Sequence, residues 1–475
     1  MQLLTKVHKP LELNQKNTSY LMIENELKRL HLNCKKKYMD PVLIKVIQFF
    51  LSLSLLIVLH ELGHFVPARM FGTRVEKFFL FFDIKFALFK KKIGETVYGI
   101  GWLPLGGYVK ISGMIDESMD KEQMKQIPQP WEVRSKPAWQ RLIIMLGGVT
   151  VNLILGVLIY IMIMFVWGKN VLTQADVPNG LEASPVVEAL GFRDGDIILS
   201  FDGVPLENLN DASRILLVRS PETARVLHAD GTEESITIPE DFGQQLFKSG
   251  ERPFSVLVLA EIETVEPGSP AEEPGLMSGD IIRAINGTAM DSWSEVRGFF
   301  TSYEDKEVTL RLDREGITTD VQVAVREDNT IGIRVVLPEI QTTDIIYDID
   351  QSIVEGIRYG YWTLYDYVAQ FKFVFTKEGA SQLGGFGTIG SLFPGTWDWQ
   401  AFWHTTALIS IILAFMNVLP IPALDGGHVM FLAFEMVTGR KPHDRVMEIA
   451  QMIGIFLLLG LFVYANANDV VRFLT

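Results

Sequence analysis

The sequence is nearly devoid of cysteine: Cys34 is the one thiol among 475 residues. A disulfide framework and a thiolate metal site are therefore both excluded. Basic residues are also in deficit, because 43 lysines and arginines stand against 57 acidic residues, for a formal net charge of -14. This balance argues against a nucleic-acid partner.

The overall polarity lies between two classes of protein. Hydrophobic residues make up 48% of the chain and the mean hydropathy is +0.21, which is too apolar for an ordinary soluble protein. Charged residues make up 21%, which is too many for a chain that lies wholly in lipid. The composition predicts a protein that is part membrane and part aqueous domain.

Four apolar stretches are long enough to cross a bilayer as helices. They comprise residues 42–59, 142–167, 405–419 with a continuation at 426–437, and 449–464. Pro420 and Pro422 break the third. Gly147, Gly148 and Gly156 in the second are small residues of the kind that let membrane helices approach closely. We expect four transmembrane segments, the third interrupted at residues 420–427.

Lysine and arginine are concentrated in the loop after the first stretch and in the short loop before the last, where Arg440 and Lys441 lie. Four spans place both loops on one side, which the positive-inside rule makes cytoplasmic. The acidic insert between the second and third stretches then faces outward. We expect a multi-pass membrane protein with this orientation.

The first 38 residues are polar and lack the apolar core of a cleavable signal peptide. After them, Asp40 has the character of a helix N-cap and Pro41 that of a first helical residue. We expect residues 1–38 to be a dispensable extension, followed by a region at 39–168 that holds the first two spans.

The first apolar stretch ends in the pentapeptide His60-Glu61-Leu62-Gly63-His64. On a helix, an HExxH pattern puts both imidazoles on one face, where they can hold Zn²⁺ beside a glutamate acting as general base. In a soluble helix the same residues could be a polar face only. Within a membrane span an unpaired glutamate costs several kcal/mol, and this context favours zinc.

A catalytic zinc needs a third protein ligand, and none follows His64 directly. The candidates in or beside the apolar stretches are His404, Asp425, His428 and Glu435. Asp425 is preferred, because it lies where prolines and glycines break the third stretch and no lysine or arginine is near it in sequence. His428 remains an alternative, as a ligand or as a partner of a ligand.

The insert contains an internal repeat with the same landmarks in the same order. Ser184-Pro185, Gly195-Asp196-Ile197-Ile198 and Asp202-Gly203 recur as Ser269-Pro270, Gly279-Asp280-Ile281-Ile282 and Asn286-Gly287. The pattern resembles two PDZ domains, at residues 169–252 and 253–340. Ser-Pro is expected to start a short helix, Gly-Asp to lead into a buried strand and Asx-Gly to close a hairpin. Such modules could capture peptide C-termini or could only exclude bulky substrates.

Residues 341–402 are rich in aromatic side chains interspersed with charges, a composition typical of helices that lie in the membrane interface. Trp397, Trp399 and Trp403 mark the return to the bilayer. The region 403–475 then holds the third and fourth spans.

Taken together, the HExxH pentapeptide, the repeated insert and the Asn417 to Gly427 segment (NVLPIPALDGG) resemble the site-2 protease family of intramembrane zinc metalloproteases, in its RseP-type branch with two PDZ domains. The resemblance implies a membrane α-helical fold with two α+β PDZ-like domains inserted between the second and third spans. It implies that His60, His64 and Asp425 bind Zn²⁺, that Glu61 is the catalytic base and that Asn417 holds substrate backbone.

The same family carries a membrane-associated β region after the first span. Glycines at Gly99, Gly101, Gly106 and Gly107 match it, and an unpaired strand edge there could receive an unwound substrate helix. Glycines at ordinary turns are the alternative interpretation. One departure is the Gly-rich segment 384–390, which stands where relatives carry a different motif and whose role the sequence leaves open.

By this resemblance the protein cleaves within the transmembrane segment of single-pass membrane proteins, such as an anti-sigma factor, after a first extracytoplasmic cut. Clearance of signal-peptide remnants is a second enzymatic possibility. A non-catalytic PDZ scaffold in the membrane is a third, against which the intact Glu61 argues.

Overall fold

The computed structural model describes residues 40–104, 106–114, 127–301 and 303–474. The predicted extension at residues 1–38 lies outside this part of the chain. Within it, four helices are long and apolar enough to cross a membrane. We call them spans 1 to 4: Pro41–Met70, Ala138–Val166, Trp399–Val418 and Asp444–Leu474. Each overlaps one of the four apolar stretches, so the structure has the four long apolar helices that the sequence predicts, while residues 426–437 lie in a separate helix.

Span 1 begins as its sequence predicts. The side chain of Asp40 accepts a hydrogen bond of 2.7 Å from the backbone N–H of Val42, and Pro41 is the first helical residue. The helix continues beyond the apolar stretch to Met70, and this places the HExxH pentapeptide inside a continuous helix rather than at its end.

Glycines bring spans 1, 2 and 3 into direct contact, as expected. A Cβ atom at Gly63 would lie 2.8 Å from the backbone nitrogen of Gly148, and one at Gly148 would lie 2.8 Å from Nδ1 of His60. A Cβ atom at Gly156 would lie 2.7 Å from a side-chain carbon of Ile411 in span 3. Any larger residue would force these helices apart.

A four-stranded sheet follows span 1. Its strands are β1 (Val75–Leu80), β2 (Phe82–Ile93), β3 (Thr96–Leu103) and β4 (Tyr108–Ile111), in the order β2-β3-β1-β4. β3 is paired on both sides, with β2 and with β1, whereas β4 is an edge strand that pairs with β1. A Cβ atom at Gly107 would lie 3.4 Å from Cγ of Glu61, which shows how closely this edge packs against span 1.

The first inserted module has its own core. The strands of this part of the chain are β5 (Lys169–Val171), β6 (Leu181–Ala183), β7 (Ile197–Phe201), β8 (Val204–Pro205), β9 (Thr223–Leu227), β10 (Glu233–Thr237) and β11 (Phe254–Val256). Four of them form an antiparallel sheet in the order β10-β9-β7-β8. Asp202 and Gly203, with φ of 48° and 75°, form the two-residue turn between β7 and β8, so the predicted hairpin is confirmed.

The second module repeats this plan around a separate core. Its strands are β12 (Ile262–Val265), β13 (Ile281–Ile285), β14 (Thr288–Ala289), β15 (Glu307–Arg314), β16 (Ile317–Ala324) and β17 (Ile333–Val335). Four of them form a sheet in the order β14-β13-β15-β16, and Asn286 and Gly287 form the matching turn, with φ of 49° and 82°. After it, β18 (Thr343–Ile345) pairs with β5, so the two ends of the insert lie side by side.

One local prediction is wrong in the second module. Pro185 starts a short helix, Pro185–Glu188, as expected, but residues 270–275 after Ser269 form turns instead. Pro274 explains the difference, because it has no N–H to donate to the carbonyl four residues earlier.

A helix at Ile349–Gln370, here called the docking helix, joins the insert to the spans. A capping box of Asp348 and Gln351 begins it. Its glycines face span 2, where a Cβ atom at Gly356 would lie 2.6 Å from the side chain of Ile161. On the other side its buried Asp366 binds Arg219 of the first module, with distances of 2.6 and 2.8 Å between the two carboxylate oxygens and the guanidinium.

The structure gives the Gly-rich segment 384–390 a structural role. It forms the short helix Phe386–Ser391, and the carboxylate of Asp469 in span 4 accepts 3.0 Å hydrogen bonds from the backbone N–H groups of Gly385 and Thr388. Asn466 accepts a third, from Phe386, at 3.3 Å. This segment therefore fastens the end of span 4 to the part of the chain that precedes span 3.

Candidate metal centre

His60 and His64 lie one helical turn apart on the face of span 1 that points into the protein. Their Nε2 atoms are 3.3 Å apart, and both side chains are largely buried. The Nδ1 atom of His64 lies 2.8 Å from the carbonyl oxygen of Ile144 in span 2. Since a carbonyl only accepts, His64 Nδ1 carries the hydrogen and Nε2 presents its lone pair to the site.

Asp425 reaches the same point from the break after span 3. Residues 419–424 leave the helical path, Ala423 has φ of 83°, and a new helix begins at Asp425 (Asp425–Thr438). Gly427 is required here, because a Cβ atom would lie 2.7 Å from the carbonyl oxygen of Ile421. Irregular backbone at membrane depth is tolerated where protein surrounds it.

The three side chains form the one group of potential metal ligands found in the described residues, with the ligand atoms all within 4.8 Å of one another. Asp425 Oδ2 lies 3.3 Å from Nε2 of His60 and 3.4 Å from Nε2 of His64. This oxygen is buried and receives no well-formed hydrogen bond from any described residue. Such an oxygen lacks a cation, and two imidazoles with one carboxylate are a donor set that zinc prefers.

The other candidate ligands lie elsewhere. Glu435 is paired with Arg141 of span 2 at 2.5 Å. The ring of His404 packs near those of Tyr160 and Tyr359, at centroid distances of 6.0 and 5.9 Å. His428 lines the cavity beside Asp425 but does not join the ligand group. Of the four alternatives drawn from the sequence, the structure brings Asp425 to the two histidines.

A cavity of about 880 Å³ opens beside these ligands. Glu61 lines it next to His60 and His64, with its carboxylate facing the backbone N–H of Val109 in β4. Asn417, at the end of span 3, also lines it, as does Gly107. The metal-ligand candidates, the base candidate and an edge strand therefore share one chamber.

The four glycines proposed for substrate binding do not behave alike. Gly99 and Gly101 lie in β3. Gly99 is paired with both neighbouring strands, so its backbone has no free side for strand addition while the sheet is intact, whereas Gly101 is paired with Ala87 of β2. A Cβ atom at Gly99 would lie 2.7 Å from the carbonyl oxygen of Phe89, so the residue is needed for packing. Gly106 and Gly107 precede the edge strand β4.

Two features of the site are not predicted from the sequence. Lys77, Asp83 and Tyr108 meet on the wall of the chamber: the Tyr108 hydroxyl donates to Asp83 at 2.7 Å and accepts from Lys77 at 3.1 Å. Asn152 of span 2 lies behind His60, with Nδ2 3.2 Å from Nδ1. Asn152 carried a usable signal, because it is a polar residue within an apolar stretch.

Four apolar helices around a centre of two histidines and a carboxylate define a membrane metalloenzyme. The chain belongs to peptidase family M50, whose family model matches residues 48–461. It is therefore a metalloprotease, and the non-catalytic scaffold considered from the sequence is ruled out.

Curated relatives agree over nearly their whole length. A Neisseria meningitidis protein named as a zinc metalloprotease is 28% identical over 460 residues, covering 90% of this chain and 99% of the relative. The regulator of sigma E protease of Haemophilus influenzae is 28% identical, covering 89% and 98%. The regulator of sigma-E protease RseP of Escherichia coli is 27% identical, with the same coverage of 89% and 98%. Zinc is accordingly the cofactor of this enzyme.

Proposed function

We propose that this chain is a zinc-dependent endopeptidase that cuts within the transmembrane segment of single-pass membrane proteins. The observation that carries the proposal is the convergence of His60, His64 and Asp425 between helices long enough to span a bilayer. Such a site meets peptide bonds that lie in the membrane. Relatives named as regulators of sigma E motivate the substrate class, an anti-sigma-factor-like protein already trimmed outside.

In this proposal His60, His64 and Asp425 hold the metal and Glu61 is the general base. Zinc bound there would activate a water molecule and polarise the scissile carbonyl. Glu61 accepts a proton from the attacking water and returns it to the leaving amine. Its position beside both histidines and in the wall of the cavity supports this role.

Substrate backbone is held on the opposite side of the chamber. A helix hides its peptide bonds in its own hydrogen bonds, so the substrate must unwind before the cut. β4 supplies an edge for the extended chain, with Gly106 and Gly107 at its start, and Asn417 supplies a side-chain amide. Helix-breaking residues near the cut are then favoured in substrates.

The two inserted modules act as PDZ-like domains on the periplasmic face, with the active site toward the cytoplasm of a bacterial inner membrane. Their repeated Gly-Asp-Ile-Ile and Asx-Gly landmarks support the PDZ assignment, and the lysine-rich loops support the orientation. The docking helix lies in the membrane interface beneath the first module. The firm attachment of that module by Asp366 favours exclusion of bulky substrates over a mobile capture device.

The test is cleavage and zinc content measured together on the purified full-length protein, with a single-pass reporter. Glu61→Gln should abolish cleavage and keep zinc, whereas Asp425→Ala should lose both. Glu95→Gln, an exposed glutamate of the β2–β3 turn region, is the matched control and should change neither. Cleavage that survives Glu61→Gln overturns the base assignment, and full zinc content in Asp425→Ala overturns the ligand assignment.

The substrate class has its own test. A reporter with a short external stub should be cut, and the same reporter with a bulky folded external domain should not. Equal cleavage of the two would overturn size exclusion, and cleavage confined to soluble segments of the reporter would overturn the intramembrane cut.

A further inference from the structure

The imidazole of His60 is held differently from that of His64. The Ile144 carbonyl oxygen next to His64 Nδ1 can only accept, so the ring hydrogen of His64 must lie on Nδ1 and Nε2 is free to bind a metal. Behind His60, the atom 3.2 Å from Nδ1 is the amide nitrogen of Asn152. An amide nitrogen only donates, so in that arrangement the hydrogen of the ring would have to sit on Nε2.

That position of the hydrogen conflicts with the surroundings of Nε2. His60 Nε2 faces Nε2 of His64 at 3.3 Å and Oδ2 of Asp425 at 3.3 Å, the atoms that would surround a metal. A nitrogen that carries hydrogen has no lone pair to donate to a cation. His60 could then not act as a ligand in the pose that the structure gives it.

Asn152 shows a second anomaly that points to the same solution. Its side chain is fully buried, and its oxygen Oδ1 has no hydrogen-bond partner among the described residues. A buried acceptor without a donor costs about 1–3 kcal/mol. Turning the amide by half a turn about its last side-chain bond exchanges the oxygen and the nitrogen with almost no change in shape.

We propose that Asn152 is a positioning residue for the metal centre, with Oδ1 accepting a hydrogen bond from Nδ1–H of His60. This rotation gives the unpaired oxygen a donor. With the ring hydrogen of His60 on Nδ1, Nε2 keeps its lone pair for the metal. Asn152 then does for His60 what the Ile144 carbonyl does for His64. This inference rests on the proposed ligand set.

The surrounding structure holds Asn152 in place for this task. Its own carbonyl accepts a 2.7 Å hydrogen bond from the hydroxyl of Ser410 in span 3. One turn earlier, Gly148 leaves the space that the His60 ring occupies. Ser410 of span 3 thereby holds Asn152 of span 2, and Asn152 in turn orients His60 of span 1. Three spans therefore contribute to the orientation of the His60 ring.

The competing explanation is that Asn152 only joins the helices, as polar residues in membranes commonly do. The two explanations differ in what a carboxylate would do. An aspartate at 152 accepts but cannot donate, so it keeps the proposed bond to Nδ1–H. It would repel a His60 ring that presents a lone pair at Nδ1.

The experiment measures zinc affinity of the full-length protein in detergent by competition with a chromophoric chelator. Asn152→Leu should weaken zinc binding about 10–100-fold, as loss of a ligand's outer hydrogen-bond partner does elsewhere. Asn152→Asp should stay within a few-fold of the parent protein. Gln48→Leu, which removes a buried amide from span 1 away from the metal, is the control and should leave zinc affinity unchanged.

Either of two results overturns the proposal: Asn152→Leu binding zinc as tightly as the parent, or Asn152→Asp binding as weakly as Asn152→Leu. His60→Ala separates this outcome from failure of the proposed function. If His60→Ala keeps its full zinc content, the ligand set itself is wrong. If His60→Ala loses zinc while Asn152→Leu binds zinc as tightly as the parent, only the role of Asn152 is refuted.

A second measurement reads the position of the ring hydrogen directly. In the zinc-loaded parent protein, ¹⁵N spectra of labelled histidine should show His60 with its hydrogen on Nδ1, and the signal is assigned by its absence in His60→Ala. Hydrogen on Nε2 would refute the proposal.

Discussion

Arg219 and Asp366 form a two-point ion pair that joins the first inserted module to the docking helix. The pair is largely buried, and the Arg219 guanidinium also lies 3.8 Å from the centre of the Trp362 ring. Lys372 adds a contact to the Ser220 hydroxyl at 3.2 Å. The module is thus attached to the helices by a largely buried ion pair and by polar contacts beside it.

Removal of one member of this pair should loosen the module. Asp366→Ala leaves Arg219 buried without its anion, and breaking a buried pair from one side costs about 3–5 kcal/mol. Hydrogen exchange in residues 206–247 of the intact protein should rise accordingly. Glu207→Ala, which removes an exposed partner of Arg358, should have an effect below about 1 kcal/mol. Unchanged exchange in Asp366→Ala would show that other contacts hold the module.

The turn aspartates of the two modules have different partners, and this predicts different pH behaviour. In the first module Asp196 accepts a 2.6 Å hydrogen bond from His228, and this bond raises the pKa of the buried imidazole, with Glu234 adding to it. In the second, Asp280 is held by Arg314, which lowers the pKa of that carboxyl. Arg193 is the cation that opposes the His228 shift.

A group with a raised folded pKa stabilises the fold fully below its unfolded value, about 6.5 for histidine, and less as the pH rises through the folded value. The first module should therefore lose stability above about pH 6.5, while the second should not, since arginine keeps its charge. Pulse proteolysis of the intact protein between pH 6 and pH 9 measures both. His228→Gln should flatten the response of the first module, and a parent profile that is already flat would contradict the prediction.

Gly148 should be indispensable to the metal centre. An alanine Cβ there would lie 2.6 Å from Cε1 of His60, so Gly148→Ala must displace an imidazole or separate spans 1 and 2. We expect zinc affinity to fall about tenfold or more, with about 1–3 kcal/mol of destabilisation from overpacking. Gly460→Ala in span 4 is the control, because nothing lies within 4 Å of its Cβ position. Zinc affinity and the melting temperature are measured for both variants. Equal values in Gly148→Ala and Gly460→Ala would contradict the packing argument.

Asp469 should govern the order of the segment before span 3. Asp469→Ala removes the acceptor for the backbone of Gly385 and Thr388, and also for the Thr388 hydroxyl at 2.5 Å. Loss of these bonds should cost about 1–3 kcal/mol and expose residues 377–395 to proteolysis. Ser391→Ala, whose hydroxyl bonds only within its own turn, should leave cleavage unchanged. Protection that persists in Asp469→Ala would place the attachment elsewhere.

The sequence predicted what depends on local pattern. Apolar length located the spans, Asp40 and Pro41 located the start of span 1, and the Asx-Gly pairs located the hairpins. His60 and His64 needed only helical spacing, and Asp425 stood out because a carboxylate beside two prolines in an apolar stretch has few other uses. The structure brings these three ligand candidates together.

The features that the sequence did not predict depend on long-range contacts. No local pattern shows that β3 lies inside the sheet and β4 at its edge, so the sequence alone does not distinguish Gly99 and Gly101 from Gly106 and Gly107. The Lys77, Asp83 and Tyr108 cluster joins three strands. Asp469 lies 84 residues after Gly385, whose backbone N–H it binds, so no local pattern could predict its role. Pro274 is the opposite case. The internal repeat predicts a short helix after Ser269, and this single local residue prevents it.

The position of Asp425 in the chain also sets an order of assembly. His60 and His64 enter the membrane early in synthesis, with spans 2 and 3 and both inserted modules still to come, and Asp425 follows only after span 3. The proposed set of three ligands thus cannot be complete until nearly the entire polypeptide has been made. A nascent chain that ends before Asp425 carries two of the three ligands, and we expect it to bind zinc more weakly than the finished protein.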